Sequence, residues 1–212
     1  MEIEKIGRTL EVAREREVTI NINNTKYVLT CTPTNLDSLI LGFLLTEGFI
    51  NDVKDVKFEI DEDELKIDVK IHGRKKTRLR RIYTKRKYDV EELRTALTYL
   101  EIEEYKRTRG YHVACVVNEK GLVSRAYDVG RHNAVDKAIG MCLKKEIDFS
   151  EVFLLISGRI SMNIALKCVR VGIPLIVSKA AIFDSAIELC RKTGLSAVSF
   201  ATNIAVKGEA LK

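Results

Sequence analysis

The sequence lacks several features that define common protein classes. Its five cysteines lie far apart and form no C-x-x-C pair, which argues against a disulfide framework and against a zinc ribbon. No apolar run approaches the ~20 residues that a membrane-spanning helix needs. Tryptophan and glutamine are absent, while Lys, Arg and Glu are frequent, a composition typical of heat-adapted proteins. We therefore expect a soluble cytoplasmic protein that does not associate with membranes.

The chain is long enough for one elaborate domain or two small ones. It has 212 residues, of which 46% are hydrophobic, so it can bury a real core. The pattern of apolar and polar residues changes near residue 106. We predict an N-terminal α+β region over residues 1–105 and an α/β domain over residues 106–212.

The positive charge of the chain is concentrated in one segment. The formal net charge is +6, yet nine of the 36 basic residues lie between His72 and Tyr88, where there is no acidic residue. We call residues 72–88 the basic segment. Any polyanionic partner attracted by net charge should meet this segment.

The N-terminal region predicts two hairpins and two helices. The runs VTINI and KYVLT flank a turn at residues 23–25, and VKFEI and LKIDVKI form a second pair. A helix is predicted over residues 36–47, opened by a capping box of Thr34 and Asp37 and ended by Gly48. Asp89 and Glu92 predict the start of another helix.

The C-terminal part alternates strands and helices. The runs HVACVVN and LVSRAYDV predict a hairpin, followed by a helix over residues 133–145. Apolar strands at 152–156, 174–178 and 195–200 alternate with helices at 161–171 and 180–192. Strands that are apolar throughout predict a sheet covered on both faces, and hence an α/β fold.

Two loops in this part have the same build. DVGRHN and ISGRIS each follow an apolar strand and supply a glycine, an arginine and a polar residue at a helix start. In an α/β sheet, both arginines and both helix N-termini would lie beyond the carboxyl ends of strands. Backbone N–H groups and the guanidinium groups of Arg131 and Arg159 suit phosphate oxygens. The pair of loops therefore predicts an anion or nucleotide site.

A plainer interpretation of these loops stays open. Gly130 and Gly158 would be ordinary turn residues, and the arginines would pair with local carboxylates such as Asp128 and Asp136.

His112 raises the separate question of a zinc site, because H-x-A followed by alternating strands and helices is typical of zinc deaminases. Ala114 stands where that chemistry needs a glutamate, and no P-C-x-x-C follows, so we expect no metal.

Long blocks of the sequence resemble one family. The blocks TRGYHVA, DVGRHNAVDKAIG and the run from Ser157 to Phe200 resemble the formate dehydrogenase accessory sulfurtransferase family, FdhD, as does CTPTNLDSLILGFLLTEGFI. The resemblance implies a cytidine-deaminase-like three-layer α/β sandwich that is usually dimeric and has lost the deaminase zinc. It also implies binding of a molybdenum or tungsten bis-pterin guanine dinucleotide cofactor. Sulfur would pass to that cofactor from a cysteine desulfurase before its insertion into formate dehydrogenase or a related enzyme.

The resemblance adds to the site that the two loops predict. A guanine dinucleotide offers phosphates to the arginines and helix N-termini, and GDP is its simplest analogue. The predicted cofactor-binding residues are His112, Asp128, Gly130, Arg131, His132, Asn133, Asp136, Ser157, Gly158 and Arg159.

The chain departs from the family pattern in the sulfur relay. The family carries sulfur on a C-x-x-C loop after the second hairpin, and here RRIYTKRKYD stands in that place. The glycine pair before the family histidine is reduced to Arg109-Gly110. These departures favour a cofactor carrier or chaperone that has lost the relay. One alternative is a sulfurtransferase that uses another cysteine, with Cys115 as the candidate because it lies three residues from His112.

The basic segment leaves another alternative open. Tyr83 and Tyr88 lie among its positive charges, where they would stack on the bases of a nucleic acid. The plainer interpretation is a solvated basic loop. We expect a small-molecule cofactor rather than a nucleic acid as the partner of the chain.

Overall fold

Two β-sheets organise the chain. The computed structural model describes residues 6–7, 10–72, 79, 81–145 and 147–212. The strands are β1 (Arg16–Ile22), β2 (Thr25–Cys31), β3 (Val56–Asp61), β4 (Lys66–Ile71), β5 (His112–Asn118), β6 (Gly121–Asp128), β7 (Phe153–Ile156), β8 (Leu175–Ser178), β9 (Ser196–Ser199) and β10 (Ile204–Val206). The α-helices are α1 (Leu36–Thr46), α2 (Val90–Thr95), α3 (Glu103–Thr108), α4 (Arg131–Leu143), α5 (Met162–Val171) and α6 (Asp184–Thr193). The predicted α/β class is confirmed.

The smaller sheet has the strand order β2-β1-β4-β3. Both predicted hairpins are present, and β1 also pairs with β4 in parallel. Asn23 and Asn24 turn the first hairpin with φ angles of 44° and 72°, a conformation that Asn tolerates better than most residues. Because side chains alternate along a strand, Val18, Ile20 and Ile22 all face inward and are buried.

The predicted capping box at α1 is wrong by one residue. Asn35 is the N-cap, in the left-handed region with φ 51°, and no side chain caps the helix. The Thr34 hydroxyl is buried without a hydrogen-bond partner in the described part of the chain. Asp37 accepts a hydrogen bond from Ser38 N–H instead. The box fails because Thr34 lies one position before the cap.

The larger sheet has the strand order β10-β9-β8-β7-β5-β6. Strands β7, β8 and β9 are parallel, whereas β5 is antiparallel to both of its neighbours. The predicted strands and helices are all present, although α4 begins two residues earlier than predicted and α6 four residues later. The edge strand β10 was not predicted, because its three residues are too short to show alternation.

Helices cover both faces of the larger sheet. On one face, Ala114 and Val116 of β5 belong to the core that contains α4, α5 and α6. On the other face, Val113 and Cys115 pack with α2 and the 3-10 helix Ala96–Leu100. The predicted boundary at residue 105 therefore does not follow the packing, since residues 88–102 cover the C-terminal sheet. The specific likeness to cytidine deaminases stays a prediction.

Helices α1 and α4 meet with almost no side chain between them. A Cβ atom at Gly140 would lie 1.9 Å from the carbonyl oxygen of Ser38, and one at Gly42 would lie 1.8 Å from that of Asp136. Only glycine permits so close an approach. This contact joins the smaller sheet and α1 to α4.

Within the residues that the structure describes, no helix is both long and apolar enough to cross a bilayer.

Alanine at Gly140 should loosen the contact between α1 and α4. We expect Gly140→Ala to lower the free energy of unfolding by about 1–3 kcal/mol, because the new methyl group must push the helices apart. This loss should outweigh the ~1 kcal/mol that alanine gains in helix propensity. Urea denaturation measures the change. Gly7→Ala is the control, since its Cβ meets open space, and an equal stability of both variants would contradict the packing.

Candidate functional site

The two similar loops lie on either side of the first residue of β5. Strands β6 and β7 both pair with β5 and run in the same direction, so their carboxyl ends reach one edge of the sheet. His112 is opposite Asp128 in the β5–β6 register, and Ala114 is opposite Ile156 in the β5–β7 register. The structure therefore brings His112 together with DVGRHN and ISGRIS.

Gly158 is the point at which the loops touch. A Cβ atom there would lie 3.2 Å from the Arg131 Cβ and 3.3 Å from the His112 Nδ1. Gly158 thus acts through its lack of a side chain, which lets the arginine and histidine approach the β7 loop. Burial lowers the pKa of His112, and the positive charges of Arg131 and Arg159 lower it further, against the opposing effect of Asp128.

Neither arginine pairs with a carboxylate among the described residues. The Arg131 Nε is buried and lacks a hydrogen-bond partner there. The Arg159 guanidinium lies 5.4 Å from the centre of the Phe183 ring. Asp128 and Asp136, the expected local partners, are engaged by lysines instead. The salt bridges that the plainer interpretation requires are therefore not formed among the described residues.

Asp128 forms the centre of a buried polar network. Its carboxylate pairs with Lys137 Nζ at 2.7 Å, and both side chains are fully inaccessible. It also accepts hydrogen bonds from the N–H groups of Thr32 and Gly130 at 3.1 and 2.8 Å, and from Asn133 Nδ2 at 3.0 Å. Because these donors satisfy the buried charge, the turn between β6 and α4 is held in one geometry.

The same network reaches the connection between β2 and α1. Lys137 Nζ donates to the Thr32 carbonyl oxygen at 2.8 Å, and Asn133 Nδ2 donates to that of Thr30 at 2.8 Å. The Val129 N–H donates to the Thr32 hydroxyl at 3.2 Å. Asn133, predicted to bind cofactor, therefore joins the two parts of the chain.

Asp136 lies in a second buried network. Lys167 Nζ contacts its carboxylate at 2.9 Å and that of Glu47 at 2.8 Å, while Arg170 Nη1 contacts Glu47 at 3.0 Å. Burial disfavours the charged form of Lys167, but the two carboxylates outweigh it and raise the pKa of Lys167. Asp136 and Asp128 were predicted to contact ligand. The structure turns both inward, so their contribution to the site is to position it.

His132 faces a smaller cavity. This cavity has a volume of about 240 Å³ and is lined by residues of α1, α4 and α5, including Asn163 and Lys167. Burial, followed by the charges of Lys167 and Arg131, lowers the pKa of His132 to about 4. His132 is therefore neutral at pH 7, with one ring nitrogen as a donor and the other as an acceptor.

The N-termini of α4 and α5 carry no side-chain cap. Gly130 and Ser161 are the N-cap residues, and neither helix receives a side-chain hydrogen bond there from the described residues. The Ser161 hydroxyl is buried without a partner among the residues described. The first N–H groups of a helix have no partner within it and attract negative charge. Both ends therefore suit an anionic ligand, as the orphaned Arg131 Nε also does.

A larger cavity opens beside His112. Its volume is about 730 Å³, and its lining includes Ser157, Lys179 and residues of α3. The Ser157 hydroxyl accepts a hydrogen bond from the Val113 N–H at 2.9 Å, so it fastens the loop to β5. Lys179 follows the carboxyl end of β8 and adds a third basic side chain at this edge.

Sequence reasoning missed the basic residues that complete the site. Lys137 and Lys167 neutralise the buried aspartates, and Thr32 takes part in three of the hydrogen bonds that join the two parts of the chain, donating one and accepting two. Lys137 stands in the DVGRHNAVDK block, nine residues after Asp128, but linear spacing does not reveal a pairing across a turn. Lys179 could have been predicted from the sequence, because it follows an apolar strand, as Arg131 and Arg159 do in their loops.

In the described part of the chain, no group of three or more His, Cys, Asp or Glu side chains is placed to hold a metal ion. His112 and Cys115 are three residues apart on one strand, so their side chains face opposite sides of the sheet.

The chain matches a known family over most of its length. The model of the FdhD/NarQ family matches residues 13–92 and 82–207. The chain belongs to this family. The sulfur carrier protein FdhD of Bacillus licheniformis is 29% identical to it, covering 91% of this chain and 85% of that protein. Protein FdhD of Methanocaldococcus jannaschii is 31% identical, with the same two coverages.

A solved structure has the same fold. It is described as a candidate formate dehydrogenase accessory protein from Desulfotalea psychrophila, and it superposes with a TM-score of 0.81. The match covers 93% of this chain and 88% of that one at 23% sequence identity. This likeness concerns the fold.

The cysteines of this FdhD/NarQ member are poorly placed to carry sulfur. All five, Cys31, Cys115, Cys142, Cys168 and Cys190, are buried and unpaired. Burial raises the pKa of the Cys115 thiol to about 12, and its Sγ faces the Tyr99 carbonyl oxygen at 3.4 Å. Since a sulfur carrier needs an accessible thiolate, the geometry contradicts the hypothesis that Cys115 carries sulfur.

The described part of the basic segment is anchored to the larger domain. Residues 73–78 and 80 lie outside the described residues. The Ile82 N–H donates to the Thr193 carbonyl oxygen at 2.8 Å, and the Thr84 hydroxyl donates to that of Ser150 at 2.8 Å. Tyr88 is fully buried, with its ring centre 5.1 Å from that of Phe153. Tyr88 therefore cannot stack on a base, whereas Tyr83 is exposed.

Removal of the Lys137 charge should destabilise the protein strongly. We expect Lys137→Met to lower the free energy of unfolding by about 3–5 kcal/mol, because it leaves Asp128 buried without its counter-charge. Chemical denaturation measures the change. Lys144→Met, at the C-cap that follows the same helix, is the control, because its partly exposed pair with Asp37 should contribute at most about 1 kcal/mol. A small and equal loss in both variants would contradict the role of the buried pair.

The native protein should react very slowly with thiol reagents. At pH 8, less than about one thiol equivalent per chain should react rapidly with a disulfide reagent. All five thiols should react after unfolding. Glu188→Cys, at an exposed position on α6, should add one rapid thiol and so calibrates the assay. A rapidly reacting native cysteine would restore the sulfurtransferase hypothesis.

Proposed function

We propose that this protein is a formate dehydrogenase accessory protein that binds a molybdenum or tungsten bis-pterin guanine dinucleotide as its cargo. The observation that carries the proposal is the pair of guanidinium groups, Arg131 and Arg159, which lack carboxylate partners among the described residues at one edge of the sheet. Phosphate groups supply the missing negative charge, and guanidinium groups bind them in bidentate geometry.

Several features of this edge fit such a cargo. The uncapped helices α4 and α5 direct N–H groups towards negative charge, and Lys179 adds a further cation. The cavity beside His112 has the volume of a nucleotide-sized pocket. Neutral His132 offers a polar contact without adding charge. Asp128 and Asp136 hold these groups in place from behind.

The role that we propose is that of a carrier or chaperone, without a sulfur relay of its own. One of the relatives named above is called a sulfur carrier protein, but the five thiols of this chain are buried. The client would be a formate dehydrogenase or a related molybdenum or tungsten enzyme. A cysteine desulfurase would be a direct partner only if sulfur passed through this chain, and a homodimer is expected from the family.

GDP binding tests this proposal. Wild-type protein should bind GDP in a calorimetric titration in preference to AMP and CMP. Arg131→Ala and Arg159→Ala should each weaken GDP binding by about 1.5–3 kcal/mol, because each removes a charge-assisted hydrogen bond to phosphate.

Arg191→Ala supplies the matched control. This arginine lies in the last turn of α6, away from the edge that carries the two loops, so GDP affinity should not change. Unchanged affinity in both loop variants would overturn the proposed phosphate contacts. Absence of GDP binding to the wild type would overturn the cargo itself.

A further inference from the structure

Another cavity lies where the basic segment meets both parts of the chain, and we call it the junction pocket. Its volume is about 270 Å³. The ends of α1 and α5 form its walls with apolar side chains such as Leu45 and Val169, and the basic segment borders it with Ile82. It shares no lining residue with the cavity beside His112, so it is a separate feature of the surface.

The basic segment directs alternate side chains towards the solvent. From residue 81 to residue 88, the odd-numbered residues are exposed and the even-numbered ones are buried or partly buried. The exposed residues are Arg81, Tyr83, Lys85 and Lys87. This alternation is that of an extended chain, in which successive outward side chains lie about 7 Å apart. Hydrogen bonds of Ile82 and Thr84 hold the inward side on the larger domain. We call the four exposed residues the basic stripe.

Most of the positive charge of the basic stripe is uncompensated. Lys85 forms no ion pair with any described residue. Lys87 donates a hydrogen bond to the backbone oxygen of Glu209, which carries no net charge. Arg81 does pair with the Glu209 carboxylate, at 3.3 Å, but its side chain stays 59% exposed, so water screens the pair. A partner that meets this stripe therefore binds best when it is acidic.

Two exposed side chains lie at the mouth of the junction pocket. Leu79 is 42% exposed and Tyr83 is 71% exposed, and both belong to its lining. The Tyr83 hydroxyl has no hydrogen-bond partner among the described residues. Exposed tyrosine beside arginine is the composition of protein–protein hot spots.

The size of the junction pocket indicates the kind of partner. Its volume of about 270 Å³ is below the ~300–1,000 Å³ of typical small-molecule sites, and it suits one large side chain. The apolar walls at Leu45 and Val169 contribute nothing to the binding of a phosphodiester backbone. A protein partner is therefore favoured over a nucleic acid.

We infer that the junction pocket is a docking site for an acidic protein segment that inserts one apolar side chain. The inserted side chain contacts Leu79 and Tyr83, and the carboxylates that flank it pair with Lys85 and Lys87. A partner held here leaves the cavity beside His112 open, because the two cavities have no lining residue in common. The inference goes beyond the proposed function and does not depend on GDP binding.

The absence of tryptophan from the chain permits a direct assay. The probe is an acidic heptapeptide with a central tryptophan, whose indole is the only one in the mixture. Its insertion into the junction pocket should shift the emission to shorter wavelength, because the ring leaves water. The full-length protein should bind this peptide at least about tenfold more tightly than the same peptide with a central alanine, which buries no large side chain. Added salt should weaken both peptides.

Substitutions at exposed positions test the pocket and the stripe without changing the core. Leu79→Ser and Tyr83→Ser should each weaken the tryptophan peptide about threefold or more and leave the alanine peptide unchanged. Leu122→Ser is the matched control, since this leucine is 38% exposed and lies outside the pocket, so neither affinity should change.

A charge reversal tests the acidic character of the partner. Lys85→Glu should weaken both peptides about threefold or more, because the carboxylates then face a like charge. Lys26→Glu makes the same change at an exposed position on β2, an edge strand of the smaller sheet, and should cause a smaller loss. GDP titration should give the wild-type affinity in Leu79→Ser and Tyr83→Ser.

Three results would overturn the inference. If the tryptophan peptide does not bind, or binds without a shift in emission, the junction pocket accepts no side chain. If both peptides bind equally well, the basic stripe attracts negative charge without recognising a side chain. If a single-stranded RNA heptamer binds more tightly than the tryptophan peptide at the same salt concentration, and Lys85→Glu weakens it, the stripe is a nucleic-acid site. Each of these results leaves the proposed function intact.

Discussion

The ion pair between Asp128 and Lys137 is the interaction on which the site depends. Both side chains are completely withdrawn from water, and a lone buried charge would cost several kcal/mol. Hydrogen bonds from Thr32, Gly130 and Asn133 satisfy the remaining lone pairs of the carboxylate. The pair thus fixes the turn before α4 and simultaneously fastens it to the connection between β2 and α1.

This arrangement explains the positive character of the exposed edge. The acidic residues closest in sequence to Arg131 are neutralised inside the protein by lysines. Among the described residues, the two arginines therefore have no carboxylate partner. The close contact of Gly42 and Gly140 serves the same end, because it brings Glu47 and Thr46 of the α1 end within reach of Lys167. The N-terminal sheet is thus a structural support for the site as well as a separate layer.

The positions of the cysteines are those of structural residues. Cys115 packs between the sheet and the 3-10 helix that follows α2, where a small apolar side chain is needed. The described part of the basic segment is held by hydrogen bonds of Ile82, Thr84 and Tyr88. The chain keeps the fold of a solved relative, and its own sequence contains no C-x-x-C pair.

Local sequence patterns determined the elements of this protein. Alternation of apolar residues predicted both hairpins. The order of strand, glycine, arginine and helix start, which occurs in both loops, predicted that Arg131 and Arg159 would share an edge of the sheet. Those patterns depend on neighbours along the chain, so they can be read without the fold. Tertiary structure alone decided three features. These are the pairing of Lys137 with Asp128, the pairing of Lys167 with Asp136, and the position of Glu101 and Lys179 around one cavity. They depend on which elements cross in space and which side chains lose water there, and periodicity carries no information about either.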